Sequence, residues 1–117
     1  MGPFGEGWTK ADVDAVIAKG DPQELLYVPI VVTLSPPDAD WAEAVCVQLS
    51  SHPHFNVRGN AILVFGHLSR VNQRLNETVV KPLIESALCD EHPYVRGQAS
   101  GAADDVQHFL GWKIERR

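Results

Sequence analysis

The chain has little of several things that usually announce a function. It holds only two cysteines, Cys46 and Cys89, too few for a disulfide framework and lacking the CxxC spacing of a redox pair. Each falls within an apolar helical pattern, so two reduced core thiols are expected. No stretch reaches the roughly 18 apolar residues of a membrane helix, and no membrane association is expected. The first ten residues, MGPFGEGWTK, lack the basic-then-apolar run of a secretory signal, which places the chain in the cytoplasm by expectation. There is no GxSxG elbow, no Gly-rich phosphate loop, no HExxH and no His pair at helical i, i+4 spacing. Catalysis, a cofactor and a bound metal are therefore not expected. Basic charge is scarce as well: ten Lys and Arg face fifteen Asp and Glu, a formal net charge of −5. A nucleic-acid partner normally requires a basic face, so none is expected, whereas an acidic balance suits a basic protein partner.

What is present is a repeat. Val57-Arg58-Gly59-Asn60-Ala61 returns thirty-eight residues later as Val95-Arg96-Gly97-Gln98-Ala99, each copy shortly after a His-Pro, His52-Pro53 and His92-Pro93. A period in the thirties to forties marks a helical array, in which a unit cannot bury its own apolar face and stacks on its neighbour. At 117 residues and 44% hydrophobic content, one domain is expected, able to bury roughly two thirds of its unfolded surface.

The helical pattern runs the length of the chain. Thr9 reads as an N-cap with Asp12 three residues on, and Lys19-Gly20 as a stop. Asp21-Pro22 restarts a helix, with Glu24 at capping-box spacing. Leu25 to Leu34 has strand-like composition, but Pro29 argues against a central strand, and a buried, Pro-kinked helix ended by Ser35-Pro36-Pro37 is expected. Asp38 or Asp40 caps a helix bearing Ala42, Val45, Cys46 and Leu49. Val57, Ala61, Val64, Phe65 and Leu68 share one face of the next, and Val95, Ala99, Ala102, Ala103 and Val106 repeat that spacing. Between them lies a helix with Pro82 inside it. The expectation is an all-α fold of six helices in three antiparallel hairpins: 9–19 with 22–34, 39–50 with 54–71, and 74–89 with 93–112. Residues 1–8 read as an N-terminal tail, 9–112 as one helical-repeat domain and 113–117 as a C-terminal tail with a frayed end.

The phrases from His52 to Ala61 and from Asp90 to Ala99 resemble HEAT repeats, in which a polar or acidic turn precedes Val-Arg and a small residue follows four after the Val. The resemblance is strong over 39–112 and implies three stacked hairpins in an α-solenoid. It also implies a structural role for the repeated arginine toward a turn aspartate of its own or a neighbouring unit. Asp90 and Arg96 fit that role, while Arg58 has no acid in its own turn. HEAT-like di-iron hydroxylases carry His-Glu pairs, and this chain has none. At a finer level, Asp40-Trp41-Ala42, Phe65-Gly66-His67-Leu68 and Ala102-Ala103-Asp104-Asp105-Val106 resemble small bacterial HEAT-like proteins, similar to immunity proteins of contact-dependent or polymorphic toxin systems. That likeness implies a non-catalytic, cytosolic, monomeric inhibitor that occludes a toxin's active site.

Aligning the two copies separates core from surface. Apolar positions match, whereas Asn60/Gln98, Leu63/Gly101, Gly66/Asp104, His67/Asp105 and Arg70/His108 differ. In HEAT-like stacks the second helices line the concave side, so these positions are expected to form a binding strip there. The candidate partner-binding residues are Trp41, Asn60, His67, Arg70, Gln98, Asp104, Asp105 and His108. Asp104 and Asp105 would supply charge, His67, Asn60 and Gln98 hydrogen bonds, and Trp41 an aromatic anchor. A local salt bridge from Asp104 or Asp105 to Arg58, Arg70 or Lys113 is the competing expectation.

Overall fold

The computed structural model describes residues 1–34 and 38–116. The expected stop at Ser35-Pro36-Pro37 and the terminal Arg117 lie outside them. Among the described residues the regular structure is all helical: α1 (Lys10–Lys19), α2 (Pro22–Leu25), α3 (Val28–Val31), α4 (Ala39–Leu49), α5 (Phe55–Asn72), α6 (Glu77–Leu88) and α7 (Pro93–Leu110). The all-α expectation holds. The count differs, because 22–34 forms two short helices instead of one kinked helix. Pro29 has no N–H to donate to Leu25 one turn back, so the hydrogen-bond ladder breaks there, and Pro29 instead sits in the first turn of α3.

Local chemistry sets the remaining boundaries. Thr9 and Asp12 form a reciprocal capping box, and Gly20 closes α1 in the left-handed conformation, φ 76°. Asp21 caps α2 through the Gln23 N–H, while Glu24 turns away to pair with Lys19 at 2.9 Å. Asp38, not Asp40, caps α4. Histidines start the two long helices. His54 Nδ1 accepts from the Asn56 N–H and His92 Nδ1 from the Tyr94 N–H, while His52 Nδ1 accepts from His54. Each cap uses a ring nitrogen that must be unprotonated. Gly111 ends α7 at Leu110, earlier than expected, and lets Trp112 and Ile114 fold back into the core. The C-terminal segment is therefore docked, not frayed: the Glu115 N–H donates to Glu85 at 2.9 Å. Cys46 is buried as expected, but Cys89 is exposed, because α6 ends one residue before it.

The most extensive interface joins α5 to α7, the two helices that open with Val-Arg-Gly. They run parallel, since Gly59 meets Tyr94 and Val95 while Gly66 meets Ala102 and Asp105. Small residues make the approach possible. A Cβ on Gly66 would lie 3.0 Å from the Ala102 Cα, and one on Gly59 would lie 2.7 Å from the Tyr94 ring. Val57, Ala61 and Phe65 of α5 and Val95, Ala99 and Ala103 of α7 are fully buried, and α4 and α6 pack on the same pair. On the far side of α5 lie α2 and α3. Asn60, 4% exposed, ties the end of α2 to α5 and α7: Nδ2 donates to the Leu26 carbonyl at 2.8 Å, and Oδ1 accepts from the Tyr94 hydroxyl at 2.5 Å.

The arginine expectation needs correction. Asp90 pairs with Arg58 at the start of α5, not with Arg96 in the helix that follows it. Arg58 Nε and Nη2 grip both Asp90 oxygens at 2.8 Å, and both side chains are 15% exposed. Arg58 Nη1 also donates to the carbonyls of His52 and Pro53. Among the described residues Arg96 bonds only the carbonyls of Asp90 and Glu91. Beside this contact Phe55 stacks on His92, centroids 3.9 Å apart and 3° from coplanar, so the two turns are joined by an ion pair and an aromatic stack.

These contacts rank the two arginines. Arg58→Ala strands the Asp90 carboxylate and is expected to cost about 2–4 kcal/mol; Arg96→Ala loses exposed contacts to neutral carbonyls and is expected to cost about 1 kcal/mol or less. Urea unfolding of both variants checks the order, and equal losses would show that the pairing has no special weight. The Arg58 guanidinium holds the Asp90 carboxyl below its ordinary value of 3.8. Its stabilisation is therefore complete above that value and is lost as pH falls through the lowered one.

Candidate functional site

The parallel contact of α5 and α7 decides which expected site residues come together. Gly66 has no side chain, and the Asp105 carboxylate occupies the space above it, 2.6 Å from where a Cβ would stand. Asp105 is thereby brought to the neighbourhood of His67, whose proton affinity it raises, although burial and the Arg70 charge together outweigh that effect. Arg70 Nη2 lies 3.1 Å from His67 Nδ1. A guanidinium can only donate, so Nδ1 accepts and the ring proton of neutral His67 resides on Nε2. Burial first, and Arg70 second, hold His67 below its ordinary value of 6.5. At neutral pH the cluster therefore offers a cation, an anion and one free N–H donor.

His108 lies three residues, nearly one turn, beyond Asp105 on α7 and is exposed, with its ring edge-on to Phe109. Leu63 lies one turn before His67 on α5 and is 37% exposed, which is unusual for leucine in this chain. Gly101, one turn before Asp105, leaves open space beside it. Helical spacing thus sets Leu63, His67, Arg70, Asp105 and His108 along one side of the helix pair, with an apolar side chain at one end and polar and charged ones over the next two turns.

Four of the eight expected members are not in this group. Asn60 is buried, and its amide is used within the fold, so it offers nothing to a partner. Asp104, a residue before Asp105, points about 100° away around the helix axis and accepts from Arg116 Nη2 at 2.5 Å. Arg116 also takes Gln107 at 2.8 Å. The salt bridge weighed for Asp104 therefore exists, but with Arg116 in place of Arg58, Arg70 or Lys113. Trp41 belongs to a separate cluster at the start of α4, where it stacks on Trp8 at 6.3 Å and lies under Lys10 Nζ at 5.0 Å. Gln98 is half-buried on α7. The strip is consequently close to neutral, and the expectation that both aspartates charge it is corrected to Asp105 alone.

Leu63 stands among the differing positions expected in the strip but not among the named partner-binding residues, and Arg116 is in neither set. The exposure of Leu63 has a signal in the alignment, where it stands opposite Gly101. Arg116 has none, because its reach depends on the reversal at Gly111.

Clefts also lie elsewhere on the surface. One of about 450 Å3, lined by Ala39, Asp40, Glu43, Arg74 and Asn76, has both acids engaged: Asp40 accepts from Arg74 at 3.0 Å and Glu43 from the Asn76 N–H at 2.9 Å. Among the described residues no three His, Cys, Asp or Glu side chains gather as a metal site needs, and no helix is long and apolar enough to cross a membrane. No family model matches the chain, and neither a curated protein nor a solved structure matches it significantly.

Two histidines give the site a pH signature. Burial lowers both His52 and His67 from 6.5, and His52 also feels His54 and Arg58. A depressed histidine means that the unfolded chain binds the proton more tightly. Stability is therefore full above about 6.5 and falls as pH drops through the lowered values. Thermal melting between pH 8 and pH 5 is expected to show this decline, with a smaller slope in His67→Gln, which keeps an acceptor for Arg70 but cannot titrate. An unchanged slope would mean that His67 does not contribute.

Proposed function

We propose that this chain is a non-catalytic protein-binding module of HEAT-like, three-level architecture, and that the α5–α7 strip of Leu63, His67, Arg70, Asp105 and His108 meets the partner. The observation that carries the reading is that two helices with matching buried faces differ where they face solvent. A repeated core under unrepeated polar side chains is what a scaffold gives when its stability and its recognition rest on different residues. Leu63 supplies apolar area at one end. Arg70 and Asp105 give opposite charges a fixed separation, and His67 and His108 add hydrogen bonds. Mixed charge of this kind suits a protein surface better than a polyphosphate.

The family resemblance supplies the finer reading: a cytoplasmic, monomeric immunity protein that blocks a toxin domain. A net charge of −5 would hasten encounter with a basic toxin even though the strip itself is nearly neutral. The alternative within the same class is an adaptor or subunit of a larger complex.

The deciding experiment measures the affinity of the purified chain for the toxin domain encoded beside its gene. A nanomolar complex that abolishes toxin activity is expected. Leu63→Asp and Asp105→Lys should each weaken it by at least about tenfold, or roughly 1.4 kcal/mol, without lowering the melting temperature. Affinity untouched by both changes would remove the strip from the interface. Tight binding without loss of toxin activity would favour the adaptor.

A further inference from the structure

The repeat makes Arg58 and Arg96 equivalent, and their guanidinium groups are anchored alike. Arg58 Nη1 donates to the carbonyls of His52 and Pro53 at 3.1 and 2.9 Å. Arg96 Nη1 donates to the carbonyls of Asp90 and Glu91 at 2.7 and 3.0 Å, each anchor thirty-eight residues beyond its counterpart. The opposite edges differ. Nε and Nη2 of Arg58 hold the Asp90 carboxylate, whereas Nε and Nη2 of Arg96 have no acceptor among the described residues, and the side chain is exposed. Glu91 sends its carbonyl, not its carboxylate, to Arg96. The neighbouring glycines repeat the contrast. The Tyr94 ring lies over Gly59, while nothing comes within 4 Å of a Cβ built on Gly97.

A guanidinium fixed through one nitrogen has already lost much of its freedom, and its remaining edge is a two-pronged receptor for a carboxylate. The filled copy shows what fits: Asp90, and four residues later Tyr94, at the start of a helix. We propose that the Arg96–Gly97 corner of α7 is a docking socket for a segment of a partner protein that presents a carboxylate to Arg96 and an aromatic side chain, four residues on, to Gly97. The socket is short. Arg116, lying over Asp104 and Gln107, closes the next turns of the helix. A second copy of this chain is a poor occupant, since its helix start with that spacing, Asp90 to Tyr94, is engaged within each molecule. This surface is separate from the α5–α7 strip and stands or falls without it.

The test uses the intact, isotope-labelled chain and a blocked synthetic peptide with the sequence of residues 90–110, which carries the element that fills the Arg58 copy. Saturable NMR shifts are expected at the Gly97 amide and at Arg96 Nε–H. Replacing the peptide's aspartate (Asp90→Asn), or making Arg96→Gln in the protein, should weaken binding at least about tenfold. Gly97→Leu is the companion variant, because it fills open space: melting should be unchanged or improved, yet binding should be lost. Three results overturn the proposal. One is the absence of saturable shifts up to about 1 mM peptide. Another is shifts centred on Gly59, which would mean exchange into the filled copy. The third is self-association of the chain that Arg96→Gln abolishes, which would give the socket to a second copy.

Discussion

The close parallel approach of α5 and α7 is the constraint from which the rest follows. Glycine at 59 and 66, and alanine at 61, 99, 102 and 103, stand where the two backbones meet or where their cores join. A larger side chain at Gly66 would meet the Ala102 backbone and push the helices apart. With the helices in contact, the turns before them come within reach of one another. Arg58 then finds Asp90, Phe55 finds His92 and Asn60 finds Tyr94. Each of these polar or aromatic contacts depends on a spacing that small residues set.

Much of the fold could be read from residue pattern. The periodic apolar positions of α5 and α7 are buried, and Thr9, Asp21 and Gly20 mark real boundaries, whereas the stop at Gly111 falls short of the expected helix end. Contacts between helices are harder to read. Repeat equivalents lie thirty-eight residues apart, but Asn60 touches Tyr94, one helical turn before its equivalent Gln98, and Arg58 pairs with Asp90, thirty-two residues on. Aligning the copies therefore identifies like with like and does not identify who touches whom. Asp90 stands near Arg96 in sequence, yet its partner is Arg58 at the start of α5.

The candidate site was legible in part, and the failures have physical causes. His67, Arg70, Asp105 and His108 lie together as the offset alignment suggests. Asn60 has the same alignment signature as a surface residue, but a polar side chain bonded to a backbone carbonyl and a tyrosine hydroxyl is as well satisfied inside as out. Asp104 and Asp105 are adjacent in sequence, yet only one faces the strip, because consecutive positions on a helix diverge. Trp41 is aromatic and half-exposed, as an anchor would be, but its ring is already occupied by Trp8 and Lys10.

The one-turn slip between equivalence and contact also decides where this protein can be divided. A segment cut at the borders of the sequence repeat would take Arg58 without Asp90, and Asn60 without the tyrosine that completes it. The natural joint runs obliquely, from the first turns of α5 to the turn that opens α7. Recombination or grafting that respects this slanted seam transfers a finished module, whereas a cut at the visible repeat leaves an open fork and a bare glycine of the kind that Arg96 and Gly97 present.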